Sequence, residues 1–465
     1  MSPRPDFLNG RVLIAGAGVS GRGCAVVLAG LGVDITVADG NAESRARLES
    51  DLGVATVDTD TVDCADYSLV VTSPGWRPDS PLLAAAASCG LDVIGDVELA
   101  YRLDRAEVFG APRRWLAITG TNGKTTTTGM LAAIMAADEQ RSGLRSQAVG
   151  NIGVSPFDAL AATPRVDILV AELSSFQLHW SSQLRPEVGA LLNLADDHLD
   201  WHGSFEAYAA DKAKILGGDH AVIGLDDDYV STHYGHAESP RIGFTHTEPA
   251  PGQVGVSAGG LFINDLAGVT ATVIDDVTTL QPAGLAGVLD AAAAAAVAAR
   301  AGAHPASITE GLQSYVVAGH RGEIVHEHAG VSYIDNSKAT NPHAAEIAMR
   351  GLDSVVWVAG GQLKGADVSD LLRAHADRMK AAVLVGVDKH LLAQALTKAA
   401  PQVPIVLVES HDPQAAMDEA VAAAVQHADA GDTVLLAPAA ASLDMYTGMS
   451  QRGDMFAAAA RRLAR

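Results

Sequence analysis

Twice in the sequence a short apolar run ends in glycine and opens at once into a helical pattern: "RVLIAGAGVSGRGCAVVLAGLG" and "WLAITGTNGKTTTT". A strand that turns through glycines into a helix has to return to its sheet by a crossover, so this feature restricts the chain to α/β architecture. Further strand-like runs, "VDITVADG" and "YSLVVTSPG", follow the first turn and complete the pattern of a parallel, doubly wound sheet. The polar stretch "RLDRAEVFGAPRR" reads as a separator, which puts a boundary near residue 110. Strands "DILVAEL", "VGALLNL" and "HAVIGL" accompany the second turn, then "GVSAGGLFINDLAGVTATVIDD" reads as antiparallel hairpins before a long Ala-rich helix. Near residue 318 the α/β pattern restarts with "VSYIDN", "SVVWVAGG", "AAVLVGV", "IVLVES" and "DTVLLAP". Three α/β domains are expected: a Rossmann-like one over 1–110, a central phosphate-loop one over 111–317, and a second Rossmann-like one over 318–465.

Composition excludes several function classes. With 55 acidic against 32 basic residues the net charge is −23, which argues against sequence-independent nucleic-acid binding. Any anionic ligand must then be held by local Lys and Arg, backbone N–H groups and metal ions. Three cysteines in no CxxC pattern argue against a disulfide framework and fit a reducing cytoplasm. The N-terminal "MSPRPDFLNG" has no signal-peptide layout. The tract "LAGVLDAAAAAAVAARAGA" carries Asp290 and Arg300 and reads as a packed helix, so no membrane insertion is expected.

The first turn, Gly16-Ala17-Gly18-Val19-Ser20-Gly21, satisfies G-x-G-x-x-G, and Asp39 ends the next strand roughly 20 residues on. That is the pattern of a dinucleotide site. Its physics serves any nucleoside diphosphate equally: glycines admit a diphosphate to a helix N-terminus and the acid accepts from sugar hydroxyls. A tight turn without ligand is a third reading. The second turn misses the strict spacing G-x-x-x-x-G-K-[ST], because Ile118 stands where the first Gly belongs. The working groups are nonetheless present. Gly120 and Gly123 free backbone N–H groups, Lys124 can reach phosphate oxygens, and the Thr125 hydroxyl can meet Mg²⁺. Downstream, Glu172 at a strand end suits a metal that takes few protein oxygens. His198 and Lys212, read alone, are an ordinary histidine and a solvated helix lysine.

"ITGTNGKTT", "GNIG", "ELSSFQL", "DDHLDWHGS", "HRGE", "DNSKATNP", "GGQLKG" and "ASLDMY…QRGDMF" recur in this order over nearly the whole chain. Together they resemble the Mur ligases. "SSFQL", the Ser73-Pro74-Gly75 turn and "SKATNP" look like the branch that adds D-glutamate, and the D-N-P-[AR] motif of the diaminopimelate- or lysine-adding branch is absent.

The resemblance implies that ATP drives ligation of D-glutamate to UDP-N-acetylmuramoyl-L-alanine through an acyl phosphate, a cytoplasmic step in peptidoglycan precursor synthesis, by a monomer. It implies that Gly120, Thr121, Asn122, Gly123, Lys124, Thr125, Thr126, Arg321 and Lys338 bind ATP. Val19, Ser20, Asp39, Ser73, Gly75, Asn151, Ser174 and Gln177 would meet the UDP substrate, and Thr340, Lys364 and Ser442 the D-glutamate. Two Mg²⁺ are implied, with Thr125, Glu172, His198 and a bridging, carbamylated Lys212 as ligands. Lys124, His198 and Lys212 would carry the catalysis, and His320 would join Arg321 in closing over the nucleotide.

Two departures touch the expected adenosine contacts. Asn336 precedes Ser337 where the family reads Asp, with Asp335 one position earlier, and "AGVLD", ending in Asp290, replaces an H-N-x-x-N. A sister ligase taking another amino acid, a nicotinamide-dependent oxidoreductase, and a nucleotide-gated binding module are the competing readings.

Overall fold

The computed structural model describes residues 4–152, 154–235, 241–282, 284–317, 319–350 and 352–464. Gly153 of "GNIG" and residue 318, where the third domain was expected to begin, lie outside them. The chain forms two compact units, one comprising Met1–Leu194, Glu206–Val277 and Val288–Tyr315, the other Ala195–Phe205, Thr278–Gly287 and Val316–Arg465.

The first unit contains two sheets. In the first, β1 (Val12–Ala15), β2 (Ile35–Ala38), β3 (Ala55–Val57), β4 (Leu69–Thr72) and β5 (Asp92–Gly95) run parallel in the order β3-β2-β1-β4-β5. β1, β2 and β4 are buried at every residue, as parallel strands covered on both faces must be. The Gly-rich turn leaves β1 and opens α1 (Val19–Gly30).

The second sheet holds β6 (Arg114–Thr119), β7 (Ser146–Gly150), β8 (Ile168–Glu172), β9 (Val188–Leu191), β10 (His220–Gly224), β11 (Arg241–Phe244), β12 (Gln253–Ser257), β13 (Gly260–Leu266) and β14 (Val269–Ile274). Its order is β14-β13-β12-β11-β10-β9-β6-β8-β7, parallel from β7 to β12 and antiparallel at the β12–β13–β14 meander, where hairpins were expected.

The stretch read from sequence as a polar separator is different in the structure. Its first residues end the helix α2 (Asp96–Arg105), and three of its charges, Arg102, Asp104 and Arg113, are buried. Glu98 is fully buried. One of its oxygens accepts from Arg102 Nε at 2.9 Å and from the Gln183 amide at 2.8 Å, the other from the Leu184 amide at 3.1 Å. Arg102 also reaches Asp92 at 2.6 Å and the Ser182 hydroxyl at 3.1 Å. Asp104, also fully buried, accepts from the Arg113 amide at 3.0 Å and Trp115 Nε1 at 2.9 Å. This segment therefore fastens the first sheet to the second.

In the second unit, β15 (Glu323–His328), β16 (Val331–Asp335), β17 (Val355–Gly360), β18 (Met379–Val385), β19 (Ile405–Leu407) and β20 (Thr433–Leu436) take the order β15-β16-β20-β17-β18-β19. Only β15 is antiparallel among the described strands. Its two faces carry separate apolar clusters, one around Val383, Val434 and Phe456, the other around Trp357, Leu372 and Leu435.

Candidate active site

The loop expected to bind phosphate leaves the carboxyl end of β6, a central strand of the second sheet, and opens α3 (Lys124–Ser142). Ligands of open α/β sheets bind at this end of the strands. Gly123 has φ +81°, and a Cβ there would stand 2.3 Å from Asp290 Oδ1, so glycine is required on two counts. Asp290 accepts from the Thr127 hydroxyl at 3.0 Å, which places the departure in the Ala-rich helix directly against the loop. Lys124 Nζ donates to the carbonyls of Gly120 (2.9 Å) and Thr121 (2.8 Å).

Residues outside the expected set hold the loop in shape. Asn193, just beyond β9, accepts from the Asn122 amide at 2.8 Å and returns a bond to the Asn122 carbonyl at 3.2 Å, while its own carbonyl takes the Thr121 amide. The buried Tyr208 hydroxyl lies 2.9 Å from Thr121 Oγ1. "NL" and "EAYAADK" offer no signal for either role, since both residues are ordinary there.

Glu172 ends β8 beside the loop, paired in register with Ile118. Asn151 Nδ2 donates to its Oε1 at 2.8 Å, whereas Oε2 is buried with no hydrogen-bond partner. An orphaned carboxylate oxygen at 1% residue exposure is what a cation site requires. Gly150 (φ +99°) permits this approach, because a Cβ there would meet the Glu172 carbonyl at 2.3 Å. Lys212, on α5 (Phe205–Ala213), is buried, donates to the Gly120 carbonyl at 2.7 Å and lies 4.9 Å from the Tyr208 ring centre. The structure thus gathers Lys124, Glu172, Asn151 and Lys212 around one loop.

Ser174 and Gln177 cap the short helix α4 (Ser175–His179) reciprocally. The Ser174 amide donates to Gln177 Oε1 at 2.9 Å and the Gln177 amide to Ser174 Oγ at 3.2 Å. In the first sheet, both Asp39 oxygens accept from backbone, Ala17 N–H at 2.7 Å and Asn41 N–H at 2.8 Å, so the acid pins the Gly-rich turn. Ser73 Oγ is buried without a partner, next to Gly16, and Val19 at the head of α1 is 94% exposed. Burial pushes the Asp96 carboxyl up, against a hydrogen bond from Ser20 that pulls it down.

His198, His320, Arg321, Lys338, Thr340, Lys364 and Ser442 belong to the second unit, and Gly75 to the first. His198 adopts φ +55° ahead of the turn Leu199–His202, with Asp197 Oδ2 3.6 Å from its Nε2. Three loops leave the carboxyl ends of the adjacent parallel strands β16, β20 and β17. They carry Lys338 and Thr340, Ser442, and Lys364 respectively. Gln362 and Ala441 exchange two backbone bonds of 2.9 Å, and the Ala439 amide donates to the Ala339 carbonyl at 2.9 Å, so the three are stitched together. Ser442 is buried and Lys364, at φ +54°, exposed. His320 Nδ1 lies 2.6 Å from Asp335 Oδ2, and the other Asp335 oxygen takes the Ser337 amide at 2.9 Å. Burial raises the Asp335 carboxyl above its ordinary range, with the His320 bond opposing.

Comparison with known proteins decides the family. Over 460 residues the chain is 56% identical to a Corynebacterium diphtheriae protein named UDP-N-acetylmuramoylalanine--D-glutamate ligase, covering 97% of this chain and 96% of the relative. The chain belongs to the Mur ligase family. Family models for a Mur ligase MurD-like N-terminal domain, a Mur ligase middle domain and a Mur ligase glutamate ligase domain match residues 10–95, 118–257 and 320–440 of this Mur ligase. A Corynebacterium efficiens protein of the same name is 54% identical, covering 99% of this chain and 96% of its own. The fold is shared with the Thermotoga maritima UDP-N-acetylmuramate-alanine ligase MurC, at TM-score 0.56, 18% identity and coverage of 97% and 99%. No helix among the described residues of this Mur ligase is long and apolar enough to cross a membrane.

Proposed function

We propose that this Mur ligase joins D-glutamate to UDP-N-acetylmuramoyl-L-alanine in peptidoglycan precursor synthesis, driven by cleavage of ATP to ADP and phosphate. The observation that carries the reading is 56% identity, over nearly the whole chain, to a relative named for that ligation. A carboxylate and an ammonium at neutral pH form a salt, and the carboxylate carbon is a poor electrophile. In the first step the bond between the γ-phosphorus and the ADP oxygen breaks, and one forms to an L-alanine carboxylate oxygen. In the second, the D-glutamate amine attacks the acyl carbon, loses a proton, and phosphate leaves with the acyl C–O bond.

The protein's contribution is positioning and charge. The backbone N–H groups of Gly120–Thr126 would cradle the phosphates, with Lys124 exchanging its loop carbonyls for phosphate oxygens. Arg321 and Lys338 would also bind the ATP. Val19, Ser20, Asp39, Ser73 and Gly75 would hold the uridine diphosphate, and Asn151, Ser174 and Gln177 the sugar–alanine portion. Ser73 Oγ, buried and unpartnered, supports the former. Thr340, Lys364 and Ser442 would receive the two D-glutamate carboxylates. The Glu172 oxygen without a partner fits Mg²⁺, which when bound supplies charge neutralisation to the phosphates. Thr125 and Glu172 would hold one ion, His198 and a carbamylated Lys212 a second. Placement in the cytoplasm and a monomeric state belong to the same reading.

The test is phosphate release from ATP, Mg²⁺ and UDP-N-acetylmuramoyl-L-alanine on adding D-glutamate or L-glutamate. Release with the D-isomer alone, and a product heavier by one glutamyl residue, is expected. Release driven equally by another amino acid would move the function to a sister ligase.

A further inference from the structure

The motif "QRGDMF" opens α6 (Met449–Leu463) and has no assigned role, yet it contains Arg452, which is fully buried. Burying a guanidinium costs several kcal/mol unless a counter-charge meets it. Here every recorded partner is a neutral oxygen: Ser337 Oγ (3.0 Å, from Nε), Ser337 O (2.9 Å, from Nη2), and Gly360 O (3.2 Å) and Ala440 O (3.1 Å, both from Nη1). Burial lowers the Arg452 pKa to about 10, and the fields of Tyr446, Asp444 and Asp335 offset this only in part.

The four acceptors are not scattered. Ser337 lies on the loop after β16, Gly360 is the last residue of β17 ahead of its loop, and Ala440 lies on the loop after β20, two residues before Ser442. Ser337 closes the arrangement, because its hydroxyl accepts from Arg452 and donates to Met449 O at 2.8 Å. The neighbouring Gly453 admits the His320–Asp335 pair, since a Cβ there would stand 2.1 Å from His320 Nδ1 and 2.6 Å from Asp335 Oδ2. One planar fork with donors in fixed directions therefore sets the spacing of all three loops.

We infer that Arg452 is a positioning residue for the D-glutamate end of the reaction, fixing the three loops that carry Thr340, Lys364 and Ser442 and lending an incompletely neutralised positive charge to a substrate with two carboxylates. The inference rests on the proposed function and deepens it.

Steady-state kinetics of Arg452→Met, Arg452→Lys and Ser337→Ala test it. In Arg452→Met, KM for D-glutamate should rise about tenfold or more, that for ATP less, and that for the UDP substrate within about twofold. Arg452→Lys, which keeps the charge and loses the fork, should fall between, and Ser337→Ala should move KM for D-glutamate the same way by less. Hydrogen exchange of ligand-free Arg452→Met should be faster over residues 337–341 and 360–365. A folded Arg452→Met with unchanged KM for D-glutamate, or with all KM values raised equally, overturns the inference. If Arg452→Met does not fold, the same split in Ser337→Ala decides. Should the wild type prefer another amino acid, the proposed function fails, while that amino acid's KM and the exchange rates still judge Arg452.

Discussion

Lys124 and Lys212 donate to a single oxygen, the Gly120 carbonyl, at 2.9 and 2.7 Å. Two ammonium groups within about 6 Å of each other repel, most strongly where water is excluded. Adding CO₂ to the neutral Lys212 amine would turn one cation into an anion and remove that repulsion. Activity is expected to fall when buffers are depleted of CO₂ and to recover with bicarbonate, with Lys212→Met unresponsive to either. Activity indifferent to bicarbonate, with full turnover in Lys212→Met, would exclude a carbamate.

Glu172→Gln replaces a carboxylate whose Oε2 has no hydrogen-bond partner. Its neutral amide can still accept from Asn151, so the fold should hold and thermal unfolding should move little. The Mg²⁺ concentration for half-maximal activity should rise about tenfold or more, following loss of an anionic ligand. An unchanged Mg²⁺ titration would remove Glu172 from the metal site.

Asp104→Ala leaves the Arg113 amide and the Trp115 indole N–H without their acceptor, and the buried Arg113 guanidinium, which keeps its carbonyl acceptors, without the carboxylate 3.5 Å away. Breaking a buried, charge-assisted cluster costs about 3–5 kcal/mol, so a large drop in denaturation midpoint is expected. A shift below about 1 kcal/mol would place these charges in the solvated class after all.

Asp335 provides a pH signature. Burial raises its folded pKa, so the native state keeps the proton to higher pH than the unfolded chain does. Between the ordinary carboxylate value, about 3.9, and the raised folded value, the native state binds more protons, and this group's contribution to stability falls as pH rises. Above the folded value the penalty is fully present. Asp335→Asn should flatten that part of the stability profile, measured by urea unfolding at a series of pH values. An identical profile in the variant would show that Asp335 does not set it.

What was legible in the sequence followed from residue types that have few alternative uses. Gly123 and Lys124 next to an apolar strand mark a strand-to-helix turn, and the structure has that turn. The strands that went unread, β3, β5, β7, β11 and β15, are sheet edges with one exception, β11. An edge strand is short and covered on fewer sides, so its apolar signal is thin: β15 reads "EIVHEH" and is mostly exposed. Charges misled in the opposite direction. Arg102, Asp104 and Arg113 fell in a stretch read as a separator; Arg102 meets Glu98 on its own helix, but its other partners and those of Arg113 lie in distant segments, and Arg452 depends on three loops far apart in sequence. Tertiary satisfaction of a charge leaves no local periodicity to detect.

The Glu98–Arg102 fastening has a consequence for how such a chain can be cut or recombined. The family-model matches end at residue 95 and resume at 118, yet the residues between are where the two sheets are joined. A graft that exchanged the first sheet at those limits would keep Glu98 and Arg102 but remove Asp92, so the buried Arg102 guanidinium would lose the carboxylate 2.6 Å from it. The transplantable module is therefore longer than the recognisable one, and its true edge is a salt bridge.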